Sequence, residues 1–168
     1  GFNSRELFQL RKEKKINKGS DFYMVGGMGH CAIVALGYSI NNQKKNIICL
    51  DGDGSFLMHM GSLVTVGKYA KKNYKYIMLN NFAHESVGSQ KTSIENIDLK
   101  KFSTAIGFKN YFKIKKKNTL KKILHVFLKK NGPSFLEVEI QCKSLKNLLR
   151  PSNFKEILNN FIKWKNFF

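Results

Sequence analysis

The chain has 168 residues, 42% of them hydrophobic, and a formal net charge of +19. That is one domain of ordinary size with enough apolar material for a core, which excludes global disorder. No stretch approaches the ~18 to 20 apolar residues of a membrane helix.

The positive charge invites a nucleic-acid reading, yet only three of the thirty basic residues are Arg. Base-reading surfaces favour the planar fork of Arg, and the lysines here are scattered along the chain. No specific nucleic-acid partner is expected, although the field favours an anionic substrate. Cys31, Cys49 and Cys142 form no C-x-x-C pair. Cys31 and Cys49 sit in apolar runs and read as small hydrophobes, so neither a disulfide framework nor a zinc site is expected. A cytoplasmic location follows. The N-terminus lacks the order of a signal peptide and has no initiator Met, which fits a fragment or a processed product.

Residues 1–20 are polar and basic, with a short helical signal at Ser4-Arg5-Glu6-Leu7-Phe8 that Ser4 would cap. Asp21 to Val25 reads as a short buried strand ending at Gly26-Gly27. The small apolar stretch from Gly29 to Ile40 predicts a helix packed close to a sheet. Asn46 to Leu50 is a second strand, with Asp51-Gly52-Asp53-Gly54 at its end. Ser55 to Tyr69 predicts one helix. Tyr76 to Leu79 is a third strand ending at Asn80-Asn81, followed by a polar loop from Phe82 to Ile97. Leu99 to Ile106 is helical and stopped by Gly107. Tyr111 to Ile114 is a short strand, Leu120 to Lys130 an amphipathic helix closed by Asn131-Gly132-Pro133, and Ser134 to Ile140 a last strand. Apolar residues from Phe154 to Trp164 fall at helical spacing. The domain proper is expected over 21–142, flanked by a linker over 1–20 and a helical tail over 143–168.

Strands that alternate with helices, each a near-continuous apolar run, predict an α/β fold: a parallel sheet with helices on both faces. Such sheets bind ligands outside the carboxyl ends of their strands. Gly26-Gly27, Asp51 to Gly54 and Asn80-Asn81 all fall at such ends. Gly27-Met28-Gly29-His30-Cys31-Ala32 fits the G-x-G-x-x-A dinucleotide fingerprint, with Asp51 near the distance of a ribose-binding acid. A Rossmann-type nucleotide binder is therefore an alternative. It does not account for the second Gly-rich turn.

Gly52-Asp53-Gly54, then 25 residues, then Asn80-Asn81 resembles the motif of thiamine diphosphate (ThDP) enzymes. The chemistry is consistent: Mg²⁺ wants six hard oxygens, some from phosphates. Asp53 would give a carboxylate and Asn81 an amide oxygen. Gly52 and Gly54 would let the backbone approach the phosphates, and Gly54-Ser55 would open a helix whose N-terminus favours the anion. Taken with Gly26-Gly27-Met28-Gly29-His30, Leu57-Met58-His59-Met60-Gly61 and the loop Phe82-Ala83-His84-Glu85-Ser86-Val87-Gly88-Ser89-Gln90, residues 4 to 140 resemble the phosphonopyruvate decarboxylases. Sulfopyruvate decarboxylases look similar but tend to carry Tyr-Gly where this chain has His84-Glu85.

The resemblance implies the ThDP-binding fold of a diphosphate-binding domain, with ThDP and Mg²⁺ as cofactors. It implies Asp53, Asn81 and the backbone carbonyl of Ala83 as metal ligands. It makes Met28 the bulky residue that bends the cofactor, and the carbonyl of Gly26 the acceptor for the cofactor's amine. Met28 also fits an ordinary core methionine. His84 would bind an anionic 2-keto acid or move a proton, and equally fits a solvent-facing loop. His30 would touch the cofactor or simply pack; His59 and His125 read as structural helix residues. The family also uses a glutamate from a separate pyrimidine-binding domain, for which this chain has no counterpart. A partner domain or subunit, in a homo- or hetero-oligomer, is expected.

Overall fold

The apolar runs become the strands of one parallel sheet in the computed structural model, which describes residues 1–14, 21–151, 153, 155, 157–159 and 162. The strands are β1 (Ile47–Gly52), β2 (Tyr74–Asn80), β3 (Asn110–Ile114) and β4 (Ser134–Glu139). They lie in the order β1-β2-β4-β3, with Ile47 opposite Tyr74 and Lys75 opposite Ser134. The helices are α1 (Phe2–Glu13), α2 (Cys31–Asn41), α3 (Asp53–Met58), α4 (Ser62–Tyr69), α5 (Leu99–Ala105) and α6 (Leu120–Lys129). None is long and apolar enough to cross a membrane.

Side chains alternate across a strand, and the alternation here divides two cores. Tyr74, Tyr76 and Met78 of β2 join Ile47, Cys49 and Phe135 beneath α2, α3, α4 and α5. Ile77, Leu136 and Ile114 face the other way, onto Phe127 of α6. Phe135 is fully buried, with the rings of Tyr76, Phe108 and Tyr111 centred 5.0, 5.5 and 5.9 Å away. Burying one such side chain contributes about 1.5–3 kcal/mol. The buried Asn73 amide donates to the carbonyls of Ser39, Asn42 and Lys45, closing the end of α2. The second core is thin. Over β1 it leaves Ile48 50% exposed, and no strand pairs with the outer edge of β1 among the described residues.

Three expectations change. Residues 21–25 form no strand. Arg11 grips Asp21 at 2.7 and 3.2 Å, the Tyr23 hydroxyl donates to the same carboxylate, and Phe8 meets Tyr23 edge-on. Side chains thus hold this segment to α1, where a backbone ladder would have held it to the sheet. The helix expected over 55–69 is two, because the chain leaves helical geometry at His59 (φ −138°) and turns through Gly61. Ser4 does not cap α1; Gly1 does, and the Ser4 hydroxyl donates to the Gly1 carbonyl. The Gly107 stop holds, with φ +107°, and Asp98 caps the start of α5 through the Lys101 N–H.

In the tail, residues 143–151 are irregular, and the Ser144, Leu145 and Leu149 N–H groups donate to Glu85, Glu6 and Gln9. Ile157, Leu158 and Ile162 are helical as expected, while Phe154, Phe161 and Trp164 lie outside the described residues.

Candidate functional site

The carboxyl ends of β1 and β2 open into a cavity of about 230 Å³. Its wall gathers Gly52, Asp53, Gly54 and Ser55 from the β1–α3 turn, and Asn81, Ala83 and His84 from the loop after β2. Gly27, Met28 and Gly29 come from the turn before α2. Gly26 and His30 do not line it. Three segments far apart in sequence thus meet where a parallel sheet is expected to bind its ligand.

The close approaches explain the glycines. A Cβ on Gly54 would lie 2.5 Å from His84 Nδ1, so the imidazole rests directly on the Gly52-Asp53-Gly54 turn. His84 is accordingly half-buried against that turn and not a free loop side chain. Gly29 has φ +88°, and a Cβ there would collide with the His59 ring. Its N–H donates to Ser55 Oγ at 2.9 Å, tying the two glycine turns together. His59, expected inside a helix, instead caps α3 and sits over this contact, 4.1 Å from the His30 ring. Only a tertiary contact places it there, and the sequence carries no signal for it.

Asp53 is 2% exposed and accepts from Thr92 Oγ1 at 2.7 Å. The Thr92 N–H donates to the carbonyl of Phe82, so the loop after β2 is tied to the Asp53 turn. Phe82 has φ +59°, left-handed for a residue with a side chain. Asn81 Oδ1 accepts the Ala83 N–H at 3.1 Å, and Asn81 Nδ2 donates to Glu85 at 2.8 Å. Glu85 also accepts the Ser144 N–H. The donor set on offer is one carboxylate, one amide oxygen and one backbone carbonyl. These are hard oxygens that suit Mg²⁺, leaving other positions for phosphate and water. α3 has only six residues, so the anion would be met mainly by backbone N–H groups of the turn and little by the helix dipole.

The dinucleotide reading fails on two counts. Among the described residues, no strand precedes the Gly27 turn. Asp51 is buried and committed: Oδ2 accepts from Tyr76 OH at 2.8 Å and Oδ1 from the Gly52 N–H at 3.0 Å. Burial, and then the Asp51 charge, push the Tyr76 phenol well up, so it stays a donor. Cys31 and Cys49 lie side by side, sulfurs 3.6 Å apart, as free thiols. The Cys31 hydrogen bond and burial raise the Cys49 thiol.

Comparison with known proteins agrees with this geometry. The family described as "Thiamine pyrophosphate enzyme, C-terminal TPP binding domain" matches residues 1–138. The phosphonopyruvate decarboxylase of Streptomyces viridochromogenes is 36% identical over 90% of this chain and 36% of its own length. The sulfopyruvate decarboxylase subunit beta of Methanothermobacter thermautotrophicus is 31% identical over 97% of this chain and 82% of its own. The chain thus spans about a third of the phosphonopyruvate decarboxylases it matches. A solved Mycobacterium smegmatis protein, described as a thiamin diphosphate-dependent enzyme, superposes with a TM-score of 0.58 at 20% identity. It covers 69% of this chain and 22% of that one, and speaks for the fold. With most of its length matched and its glycine and asparagine turns converging on one cavity, the chain belongs to the thiamine pyrophosphate enzymes, as their C-terminal TPP-binding domain.

Proposed function

We propose that this chain is the diphosphate- and Mg²⁺-binding part of a cytoplasmic, oligomeric decarboxylase that converts 3-phosphonopyruvate to phosphonoacetaldehyde and CO₂. The observation that carries the reading is the single cavity in which Asp53, Asn81, Ala83, Met28 and His84 meet. ThDP, when bound, supplies the electron sink for the carbon–carbon bond that releases CO₂. The chain's own residues bind and orient. Asp53, the Asn81 amide oxygen and the Ala83 carbonyl hold Mg²⁺, and Gly52, Gly54 and Ser55 lie against the diphosphate. Gly27 and Gly29 keep the opposite wall close. Met28 would support the cofactor from this wall, while the Gly26 carbonyl, which would accept from its amine, and His30, which would lie beside the diphosphate, would have to reach it from outside the cavity wall.

His84, directly over Gly54, faces the anionic end of the substrate, or hands a proton to it. A pyrimidine-binding domain or subunit completes the cleft. A sulfopyruvate decarboxylase is the second reading, favoured by the likeness to a beta subunit over 82% of that subunit's length.

The two readings separate on substrate. The assembled enzyme, offered 3-phosphonopyruvate and 3-sulfopyruvate in parallel, should favour the first in kcat/KM by about 100-fold or more, because a site built for one anionic group leaves polar groups unpaired with another. The reverse preference would move the assignment to the second reading.

Met28→Ala tests the wedge. The diphosphate contacts remain, so ThDP affinity should change little, while misplacement of the reacting atoms should lower kcat by about 100-fold. Steady-state kinetics at saturating ThDP would show it, and wild-type kcat would remove Met28 from the mechanism.

A further inference from the structure

The two asparagines that end β2 point different ways. Asn81 faces the cavity. Asn80 is 1% exposed and reaches across to β4, where its Nδ2 donates to Glu137 Oε1 at 3.0 Å. Its other end, Oδ1, accepts the N–H of Phe82 at 3.2 Å.

Glu137 is itself 1% exposed and surrounded by donors. Tyr111 OH donates to Oε2 at 2.5 Å and Lys113 Nζ to Oε1 at 2.9 Å. Lys113 also bridges to Glu139 at 2.8 Å. Burial and the hydrogen bond to Glu137 push the Tyr111 phenol up, so it remains a donor. For Lys113, burial pulls the ammonium down, but its hydrogen bonds to Glu139 and Glu137 outweigh that and keep it charged. A buried carboxylate of this kind adds little net stability and is better understood as fixing an arrangement.

The arrangement it fixes is the orientation of one amide. An ionised carboxylate only accepts. Asn80 must therefore turn Nδ2 toward Glu137 and leave Oδ1 for the Phe82 N–H. That bond, together with the Thr92 N–H on the Phe82 carbonyl, holds Phe82 in its left-handed turn. The turn brings Asn81 and Ala83 to the same wall as Asp53, which Thr92 holds from the other side.

We propose that Glu137, acting through Asn80, is a positioning residue for the metal loop: it sets the amide that sets the turn that presents Asn81 and Ala83. This rests on the reading of Asp53, Asn81 and Ala83 as the Mg²⁺ ligands.

The test is the Mg²⁺ concentration for half-maximal ThDP binding, measured by calorimetric titration of the 168-residue chain, with urea midpoints alongside. Glu137→Met keeps the length of the side chain but removes the acceptor. Nothing then fixes which end of the Asn80 amide meets the Phe82 N–H, and the half-saturating Mg²⁺ should rise about 10- to 100-fold, the range for groups that orient metal ligands. Glu137→Gln should stay near the unsubstituted value, because its oxygen can keep the place shared by Asn80 and Lys113 while its NH₂ meets the Tyr111 hydroxyl, which can accept. A role in folding alone would move the urea midpoint of Glu137→Met without the Mg²⁺ shift. Asn80→Ala leaves Glu137 two of its donors and should reproduce the Mg²⁺ shift even where Glu137→Met does not fold.

An unchanged Mg²⁺ midpoint in Asn80→Ala or in folded Glu137→Met overturns the role of Glu137. ThDP binding by the unsubstituted chain without any dependence on Mg²⁺ overturns the metal site itself, and this role with it.

Discussion

Asp53→Ala is expected to abolish Mg²⁺-dependent ThDP binding, weakening it by more than about 100-fold, since losing a ligand should exceed the 10–100-fold typical of losing its outer support. Asp53 is the one carboxylate in the proposed ligand set. It also holds Thr92, whose hydroxyl would be left buried without its acceptor, at a cost of about 1–3 kcal/mol. The Asp53→Asn variant separates the two effects. It keeps an oxygen for Thr92 and the volume of the side chain, so folding should be near normal by urea denaturation, while the lost charge should still cripple metal binding. Titration of ThDP at fixed Mg²⁺ provides the measurement. Unchanged affinity and activity in both variants would show that the metal is held elsewhere.

The 168 residues by themselves are expected to release CO₂ from 3-phosphonopyruvate at background rate, even with ThDP and Mg²⁺. The resemblance assigns proton exchange at the cofactor's pyrimidine ring to a carboxyl group, and the described cleft has none to spare. Asp21 is held by Arg11, Asp51 by Tyr76, Asp53 by Thr92, and Glu85 by Asn81 and the Ser144 N–H. Positioning groups in a closed, water-poor site corresponds to effective molarities of about 10⁵–10⁸ M. A half-open cleft should therefore lose about 10⁵-fold or more in rate. Following CO₂ release, first alone and then with the pyrimidine-binding domain added in trans, measures it. Full turnover by the lone chain would place the completed site within these residues.

The sheet and the glycine and asparagine turns at its strand ends were legible because they rest on local signals. The runs Ile47 to Leu50 and Tyr76 to Leu79 are apolar throughout, as strands of a parallel sheet tend to be, and each ends in residues that tolerate a sharp turn. What stayed hidden depends on contacts distant in sequence. Nothing near Asp21 announces that Arg11 will outcompete a strand neighbour for the segment. Nothing in Leu57-Met58-His59-Met60-Gly61 shows that the helix breaks and sends His59 across to Gly29. The Asn-Asn pair reads as one motif, yet Glu137 separates its members, 57 positions from Asn80. Asp51 matched a ribose-binding acid by spacing alone, and its hydroxyl partner, Tyr76, was 25 positions away.

The outer edge of β1 bears on how this chain behaves in the tube. From Ile47 to Gly52 the strand lies along the cleft, with Ile48 half-exposed and no neighbouring strand among the described residues. Such an edge is a template for pairing with another copy. The formal charge of +19 opposes such pairing, a repulsion that reaches about 10 Å at 0.1 M salt and about 3 Å at 1 M. Raising ionic strength is therefore expected to lower the barrier between copies of this chain, and light scattering across a salt series would read it as growing self-association.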